Sequence, residues 1–398
     1  MNNLKDIFIE NLQSKNLENK KCLVRVDFNV PLSDQNEILD DTRIKAVTQT
    51  IDFLISKKAK VILISHMGRP KGKTNQNLSL EKIKNSIELI LKYKIHLIDV
   101  RENHEKIHNS ISDIKSNQII MFENIRFSPE EETYSDKFSK YLSSFGDIYI
   151  NEAFAVSHRN HSSITGIPKF IPSFMGFMMY KEYTSISNQS SQLENNSICI
   201  FGGEKISDKI RILNNFIGKV KYIAIGGGMI KEFANYLNSK KIRDKNNIIH
   251  NILNNNKTKI LVPKDVIIKN ENLNPEYIVK NLDEISISDN IVDIGPNTIN
   301  FYSNSIKIST YILWNGPMGI FENSNSNKGT LAIAKAIAKN NKAYSVAGGG
   351  STVQAINQFI TTKDFSHVST GGGAFMEYIE NGTLPGINAI IQNENLYE

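Results

Sequence analysis

The segment KCLVRVDFNV, residues 21–30, is a nearly continuous run of apolar and β-branched residues, which is typical of a buried β-strand. Residues 41–58 follow it with apolar side chains at the spacing of one helical face, namely Ile44, Val47, Ile51, Leu54 and Ile55. AKVILISH, residues 59–66, is again strand-like, and a helix expected from about residue 79 would bury Leu80, Ile83, Ile87, Ile90 and Leu91. QIIMFENI and DIYINEAF continue the series. Strands this continuously apolar are usually covered on both faces, so the pattern predicts a parallel, doubly wound α/β sheet.

The alternation pauses at residues 174–195, where one helix-like segment is followed by a polar stretch rich in Ser and Asn. A second series then runs through SICIFGG, KYIAIGGG, TKILVPKDV, TYILWNGPMG, AYSVAGGG and HVSTGGG. We therefore expect an α/β fold of two doubly wound, Rossmann-like parallel-sheet domains joined by a helix. The expected parts are residues 1–173, a connection at 174–195, a second domain at 196–380 and a tail at 381–398.

The composition is that of an ordinary globular protein, with 398 residues of which 40% are hydrophobic and 22% are charged. The formal net charge is +6, but the Lys and Arg residues are scattered and form no dense basic run with interleaved aromatics. We therefore expect no nucleic-acid partner, and a nucleic-acid-binding protein stays open as an alternative that rests on charge alone.

Cys22 and Cys199 are the only cysteines, and both lie in apolar, strand-like runs, which argues against a disulfide framework and against a zinc site. The first residues have neither the basic start nor the apolar core of a leader, and no apolar run has the length of a bilayer span. We expect a cytoplasmic protein with no membrane partner.

The strand ends of the first series carry arginines. Arg69, Arg126 and Arg159 each follow a strand, and Arg43 begins the first helix. Because ligands of parallel α/β sheets bind at the carboxyl ends of the strands, and because arginine grips carboxylates and phosphates with two donors, this predicts a small, multiply anionic ligand. His66, His158 and His161 accompany them, either as metal ligands or, without a supporting carboxylate pattern, as hydrogen-bond donors to an anion or as structural residues.

The strand ends of the second series carry glycines instead, at positions 202–203, 226–228, 316, 319, 348–350 and 371–373. Glycine lets main-chain N–H groups approach phosphates or a flat base, so repeated glycines at one sheet edge indicate a nucleotide. Lys205 and Lys209, four residues apart, would share one helical face if the helix has begun there. Neither the P-loop pattern nor the protein-kinase signature set is present, so the site belongs to neither common kind.

VAGGGSTVQAI, residues 346–356, leads from a strand through three glycines into a helix. Such a turn is suited to hold an anion at the helix N-terminus, although glycine also serves any tight strand-to-helix corner.

Ten segments occur along nearly the whole chain in the order found in one family: VRVDFNVPL, DDTRI, SHMGRPKG, ENIRF, SHRNHSS, GGEKISDKI, GGGM, WNGPMGIFE, STGGGA and LPG. On these motifs the sequence closely resembles the phosphoglycerate kinase family. The resemblance implies a two-lobed α/β monomer of the glycolytic pathway, a phosphotransferase whose acceptor is a carboxyl group. It would transfer a phosphoryl group between 1,3-bisphosphoglycerate and ADP, giving 3-phosphoglycerate and ATP with Mg²⁺, by direct in-line transfer after domain closure.

The resemblance also implies site residues, position by position. The phosphoglycerate site would comprise Asp27, Phe28, Asn29, Arg43, His66, Arg69, Arg126 and Arg159. The nucleotide site would comprise Lys205, Lys209, Gly226, Gly227, Gly295, Asn315, Glu322, Gly349, Gly350, Ser351, Thr352, Gly371 and Gly372. Catalytic charge would come from Arg43 and Lys209, supported by Lys205. A hinge is expected near Lys181, and residues 384–386 should return to the N-terminal lobe.

The sequence departs from the family pattern at three positions. Ser351 stands where the family has the Asp that ligates magnesium, so metal affinity should fall because a hydroxyl brings no charge. Glu204 stands where a small residue is usual, and we hypothesise that it partly replaces the missing ligand. Glu152 replaces an Asp and keeps its charge. The alternative to an active kinase is a catalytically weakened protein that binds phosphoglycerate or nucleotide.

Overall fold

The computed structural model describes residues 7–115, 117–187, 196–203, 206–238, 248–255, 257–270 and 276–393. The chain divides into two compact units. The first unit contains Met1–Tyr183 together with Thr383–Glu398, and the second contains Thr184–Gly382. The boundary between the units at Tyr183 falls inside the connection expected at residues 174–195.

The first unit is built on a six-stranded parallel sheet. Its strands are β1 (Lys21–Val26), β2 (Lys60–Ile64), β3 (Lys94–Ile98), β4 (Gln118–Phe122), β5 (Ile148–Glu152) and β6 (Ser173–Met175), in the order β3-β4-β2-β1-β5-β6. Each neighbouring pair is parallel. The helices are α1 (Thr42–Ala46), α2 (Thr48–Ser56), α3 (Glu81–Leu91), α4 (His104–Asp113), α5 (Pro129–Thr133), α6 (Asp136–Ser143) and α7 (Phe177–Ser187). The predicted parallel, doubly wound fold of this part is confirmed.

Both faces of this sheet are covered, as the apolar strands predicted. Val61 and Leu63 of β2 belong to a core that includes Ile51 of α2 and Ile87 of α3. The intervening Ile62 and Ile64 belong to a second core with Ile107 of α4 and Leu142 of α6. The single helix expected over residues 41–58 is two helices, because buried Val47, at φ −92° and ψ −5°, separates α1 from α2.

A buried carboxylate begins helix α7. Glu152, the last residue of β5, accepts hydrogen bonds from the backbone N–H of Met178 at 3.1 Å and of Met179 at 2.8 Å, and from the hydroxyl of Thr50. Burial, the largest cause, raises the pKa of Glu152 to about 7, although these hydrogen bonds act in the opposite direction. The departure from the family pattern at this position therefore lies at the start of the helix that leaves the first unit.

The second unit also has a six-stranded parallel sheet. It contains β7 (Ser197–Phe201), β8 (Tyr222–Ile225), β9 (Lys259–Leu261), β13 (Tyr311–Asn315), β14 (Tyr344–Ala347) and β15 (His367–Val368), in the order β15-β14-β13-β7-β8-β9. Its helices are α8 (Ile206–Phe216), α9 (Met229–Asn238), α10 (Ile248–Leu253), α11 (Pro296–Lys307), α12 (Lys328–Lys339), α13 (Gly350–Phe359) and α14 (Gly373–Asn381). The predicted second parallel sheet is confirmed.

A small antiparallel sheet in the second unit was not expected. It consists of β10 (Asp265–Lys269), β11 (Tyr277–Asn281) and β12 (Asn290–Ile294), in the order β11-β10-β12. The interpretation of TKILVPKDV as one strand was wrong, because β9 ends at Leu261 and β10 begins at Asp265 in a different sheet. Pro263 lies between them, and proline has no N–H to continue a ladder.

The last helix, α15 (Pro385–Ile391), packs in the first unit. The backbone N–H of Gly386 donates to the carbonyl of Ser157 at 2.8 Å, and Asn393 Nδ2 donates to the carbonyl of Ile171 at 2.8 Å. Leu384, Ile387 and Ile390 are buried. Among the described residues, no helix combines the length and the hydropathy that a membrane crossing requires.

Candidate active site

In the first unit, three strand-end loops meet around Asp27 and Asn29, which follow β1. Arg43 Nη1, from α1, donates to Asp27 Oδ2 at 2.7 Å and to the Asn29 carbonyl at 3.1 Å. Asn29 Oδ1 accepts from the N–H of Gly68, in the loop after β2, at 2.8 Å. The β1 loop therefore holds both the arginine and the β2 loop in place.

Arg126 joins this group from the short 3-10 turn after β4. Its side chain is mostly buried, and Nη1 donates to the Gly68 carbonyl at 2.8 Å while Nε lies 3.2 Å from Glu132 Oε1. Desolvation is the largest influence on this guanidinium and lowers its pKa, which for an arginine leaves the charge in place. The structure thus brings a buried positive charge next to the loop that carries Gly68.

His66 lies deeper in the same group. Its Nδ1 is 3.7 Å from Asp27 Oδ1 and 3.4 Å from Arg25 Nη2. Burial, followed by the charge of Arg25, lowers the pKa of His66 well below its ordinary value, so the imidazole is neutral at physiological pH. Neutral imidazole offers one N–H donor without adding a charge that would need its own counterion.

Arg25 is a buried residue of this site that the sequence analysis missed. It is fully buried on β1, and its Nε donates to Ser163 Oγ at 2.8 Å. Ser163 in turn donates to Glu131 Oε1 at 2.6 Å through its hydroxyl and to Oε2 at 2.8 Å through its N–H. The signal was present, since Arg25 is the single charged side chain inside the apolar run CLVRV.

The remaining histidines of this region are also neutral. The pKa of His158 is lowered to about 4, by burial first and then by Arg159. The pKa of His161 is lowered to about 3, by burial first and then by Arg126. In the described ranges, no group of three or more His, Cys, Asp or Glu side chains has the arrangement of a metal site. The surroundings of these imidazoles are electropositive, which suits an anion rather than a cation.

Three predicted residues of this site are placed differently. Arg69 and Arg159 are exposed, so their guanidinium groups are open to solvent. The Phe28 side chain is fully buried in the core, and its backbone N–H donates to Ser65 Oγ at 3.0 Å. A role for Phe28 therefore rests on its place in the β1 loop and not on its ring.

In the second unit, the glycine-rich loops approach one another closely. A Cβ on Gly202 would lie 1.9 Å from the carbonyl oxygen of Pro317. Gly227, at φ +61°, would place a Cβ 2.5 Å from the carbonyl oxygen of Gly203. The loops after β7, β8 and β13 can pack together only because these side chains are absent.

A cavity of about 410 Å³ lies beside these loops. It is lined by Gly203, Gly227, Gly228, Ile291, Val292, Asp293, Pro317, Met318, Gly319, Ile320, Phe321, Glu322 and Ser351. Glycine backbone and apolar side chains form most of its wall, with Glu322 and Ser351 exposed at it. Gly227, Glu322 and Ser351 were expected at a nucleotide site, and the volume is in the range of small-molecule pockets.

Lys209 is bound to the last residue of β13. Its Nζ donates to Asn315 Oδ1, and Asn315 Nδ2 donates to the carbonyl of Gly348 at 2.7 Å. Lys209 Nζ also lies 4.0 Å from Met376 Sδ, on α14. The ammonium of α8 and the ends of β13 and β14 are therefore parts of one connected arrangement.

The glycine turn before α13 completes this arrangement. Gly349 has φ +98°, and a Cβ there would lie 2.5 Å from Asn315 Nδ2, so glycine is required. Thr352 Oγ1 accepts from the N–H of Gly316 at 2.7 Å, which joins the turn to the loop after β13. Gly350 is the first residue of α13 and a Cβ on it would meet open space. The first N–H groups of a helix have no intrahelical partner, so they can receive an anion here.

Three other predicted nucleotide residues differ from one another in their surroundings. Gly226 is buried, and a Cβ there would lie 2.5 Å from Met318 Sδ. Gly371 and Gly372 precede α14, and Gly372 has φ +52° with open space around it. Lys205 and Glu204 lie outside the described residues.

Gly295 has a structural explanation in its contact with Asp265. A Cβ on Gly295 would lie 2.3 Å from Asp265 Cγ. The Asp265 carboxylate accepts from the N–H of Asn297 at 3.0 Å and of Thr298 at 2.7 Å, at the start of α11. Gly295 is not among the described residues that line the cavity, so its role in nucleotide binding stays a prediction.

Asp293 lines the cavity and was not predicted. It is buried, and its Oδ2 accepts from the N–H of Gly329 at 2.7 Å at the start of α12. Burial raises the pKa of Asp293 to about 7. Since Gly319 and Gly329 both leave room for this carboxyl group, its position is built into the wall of the cavity.

Comparison with known proteins agrees with the motifs. The family model described as phosphoglycerate kinase matches residues 12–382. The phosphoglycerate kinase of Wolbachia pipientis wMel is 39% identical, with 96% of this chain and 98% of that protein aligned. The phosphoglycerate kinase of Dictyoglomus turgidum is also 39% identical, over 97% of this chain and 99% of that protein. The solved structure of phosphoglycerate kinase from Coxiella burnetii covers 96% of this chain and 98% of its own, with a TM-score of 0.85 and 30% identity. The chain therefore belongs to the phosphoglycerate kinase family.

Proposed function

We propose that this chain catalyses the reaction of its family, the reversible transfer of a phosphoryl group between 1,3-bisphosphoglycerate and ADP, giving 3-phosphoglycerate and ATP. The observation that carries the proposal is a matched pair of sites. The first unit gathers Arg43, Arg126 and neutral His66 at the strand ends. The second gathers Lys209 and the glycine turn before α13 beside a cavity.

The phosphoglycerate would bind in the first unit. Arg43 and Arg126 are held by backbone and carboxylate acceptors, so both guanidinium groups are fixed at the strand-end loops, where they could bind an anion. Exposed Arg69 and Arg159 would close on the substrate phosphate, and His66 would donate its ring N–H. Asp27 and Asn29 would orient Arg43 and the loop after β2, while Phe28 supports the loop from the core.

The nucleotide would bind in the second unit. Gly226 and Gly227 let the strand-end loops pack together at the cavity where the base would lie, and Glu322 would accept from the ribose hydroxyls. The N–H groups of Gly350, Ser351 and Thr352 at the start of α13 would receive phosphate oxygens. Gly349 shapes this turn, Gly371 and Gly372 form the neighbouring one, and Lys205 would add a second positive charge. Gly295 is included on the family motif alone.

The chemistry needs no general base. The acceptor carboxylate of 3-phosphoglycerate has an unperturbed pKa of roughly 3.5, so it is ionised at neutral pH. Phosphoryl transfer instead requires in-line positioning and positive charge on the equatorial oxygens. We assign that charge to Arg43 and Lys209. Since the acceptor carboxylate oxygen must come within contact distance of the transferred phosphorus, the two ligands have to be brought together in each turnover, with a hinge near Lys181.

The donor set fits a magnesium ion that arrives with the nucleotide. Mg²⁺ at such sites keeps several waters and takes few protein ligands, because phosphate oxygens supply the rest. Ser351 is exposed at the first turn of α13 and lines the cavity, so its hydroxyl can serve as such a ligand. When bound, the ion would neutralise charge between the phosphates. The proposed support from Glu204 rests on sequence alone.

We further propose a monomer that acts in the cytoplasm on these small molecules without nucleic-acid or membrane partners. The support is the family's place in glycolysis and the scattered distribution of Lys and Arg.

The proposal is tested by measuring ATP consumption that depends on 3-phosphoglycerate, across a magnesium titration, with Arg43→Ala purified in parallel to exclude a host enzyme. We expect turnover that requires both substrates and magnesium and is strongly reduced in the variant. Binding of both ligands without turnover at any magnesium concentration would contradict it and favour a binding protein.

A further inference from the structure

His104 and His108 lie one turn apart on α4, outside every site described above. Their Nε2 atoms face each other at 3.2 Å, and their ring centroids are 4.3 Å apart with the planes at 67°. His104 Nε2 also lies 3.0 Å from Ser144 Oγ. Two neighbouring imidazole nitrogens on successive turns of a helix form the unit from which helical transition-metal sites are built.

Both rings are held in this orientation by aromatic packing. Each centroid lies 5.1 Å from that of Phe145, and the His104 ring lies 5.5 Å from that of Tyr141. His104 is exposed and His108 is half-buried. A ligand pair that is already oriented loses less side-chain entropy when it binds.

The separation of the two nitrogens matches chelation of one ion. With metal to nitrogen distances of 2.0–2.1 Å, two ligands stand about 2.9 Å apart at a right angle and about 3.4 Å apart at a tetrahedral angle. The observed 3.2 Å lies between these limits. Small ring rotations would be enough to direct both lone pairs at one ion.

The protonation state of His108 also suits a metal. Burial, followed by the neighbouring His104 and Lys21, lowers the pKa of His108, so this imidazole is neutral at physiological pH. Neutral imidazole is the metal-binding form. Lys21 also places a positive charge in the vicinity, which should weaken the binding of a cation.

We propose that His104 and His108 form a bidentate site for a divalent transition metal that prefers imidazole, such as Cu²⁺, Zn²⁺ or Ni²⁺. In the part of the chain that the structure describes, no third His, Cys, Asp or Glu completes the set, so water fills the other positions. Mg²⁺ prefers oxygen ligands and is not a candidate. Cu²⁺ should bind most tightly, because first-row divalent affinities rise toward copper.

The test is to titrate the untagged full-length chain with Cu²⁺ in a non-coordinating buffer and to measure the binding affinity by calorimetry. His104→Ala and His108→Ala should each weaken binding by about 10-fold or more, since each leaves one imidazole of a chelating pair. His96→Ala removes an exposed histidine of β3 that is not part of the pair, and it should bind as the parent does. The Cu²⁺ spectrum in electron paramagnetic resonance should show coupling to two nitrogens in the parent and one in each single variant.

Two results would overturn the proposal. One is parent-like Cu²⁺ affinity in either His104→Ala or His108→Ala. The other is a loss of Cu²⁺ affinity in His96→Ala that equals the loss in those variants. His104→Gln and His108→Gln retain much of the side-chain volume, and they repeat the test if the alanine variants do not fold.

Discussion

Arg43 and Asp27 form an ion pair whose Nη1 and Oδ2 atoms are 2.7 Å apart, with 6% of the Asp27 side chain exposed and 36% of the Arg43 side chain. The buried member therefore fixes the position of the partly exposed one. A guanidinium carries five N–H donors, and the hydrogen bonds of Arg43 to Asp27 and Asn29 use one of its three nitrogens, which leaves donors for an anionic substrate.

We expect Arg43→Ala to lower kcat by about 10²- to 10³-fold, the usual effect of removing one donor that stabilises transition-state charge. Steady-state kinetics in both substrates measures this change. Lys45→Ala is the matched control, because Lys45 lies on the same helix and pairs with Asp41 at the surface. Equal losses of kcat in the two variants would show that the rate depends on the overall positive charge of the helix and not on the position of Arg43.

Lys209→Met should also lower kcat by about 10²- to 10³-fold while leaving the fold intact, because methionine retains most of the side-chain length without the ammonium. The control is Lys219→Met, which changes an exposed lysine after α8 that donates to Asn215 Oδ1 at 2.6 Å. If the Lys209 variant loses nucleotide affinity but not kcat, the ammonium stabilises the ground state and the transition state equally.

Ser351→Asp should lower the magnesium concentration at half-maximal rate. A carboxylate adds about 1 to 4 kcal/mol of attraction for a cation at 4 Å, so a decrease of about 5-fold or more is expected. Ser351→Asn provides a neutral side chain of the same size and should leave the magnesium dependence near that of the parent. Overlapping curves for the Ser and Asp proteins would place the metal elsewhere.

Glu152 should make stability depend on pH. Its pKa is about 7 in the folded chain against an ordinary 4.5, so the folded state retains a proton that the unfolded chain has lost over this interval. The corresponding stabilisation is complete below pH 4.5 and is lost as the pH rises through 7, by up to about 3 kcal/mol.

Denaturant unfolding of the parent and of Glu152→Gln at a series of pH values isolates this effect, because other groups such as Asp293 contribute equally to both proteins. The variant should lack the parent's loss of stability between pH 5 and pH 8. Parallel curves for the two proteins would mean that Glu152 is ionised throughout.

Ile387→Ala should destabilise the first unit by about 2 to 5 kcal/mol, since Ile387 is fully buried on α15. Leu89→Ala is the control on α3, where 81% of the leucine is exposed, and it should change stability by less than about 0.5 kcal/mol. Thermal and denaturant unfolding measure both. Unchanged stability in Ile387→Ala would show that α15 is not part of the cooperative core.

The sequence predicted both parallel sheets because their strands are apolar on each face and alternate with helical periods. It did not predict the small antiparallel sheet, since Pro263 had to be recognised as the end of one strand rather than as part of a longer one. The side chains around Arg43 were expected at strand ends, but Arg25 was not, because a charge buried within a strand is visible only once its partner Ser163 is located.

The glycines illustrate a second limit. Their positions indicated close backbone approach, and the structure gives that approach at Gly227 and Gly349. At Gly295 the same residue type accommodates Asp265 instead. Sequence alone cannot distinguish a glycine that faces a ligand from one that faces a carboxylate 30 residues earlier in the chain.

The placement of α15 has a consequence for synthesis. Residues 384–393 leave the ribosome after the whole of the second unit, yet their apolar side chains belong to the core of the first. The first unit therefore lacks α15 until the second unit has been synthesised. A nascent chain that stops early would expose the surface around Ser157 and Ile164 that α15 covers, so quality-control proteases would have a way to distinguish unfinished chains from finished ones.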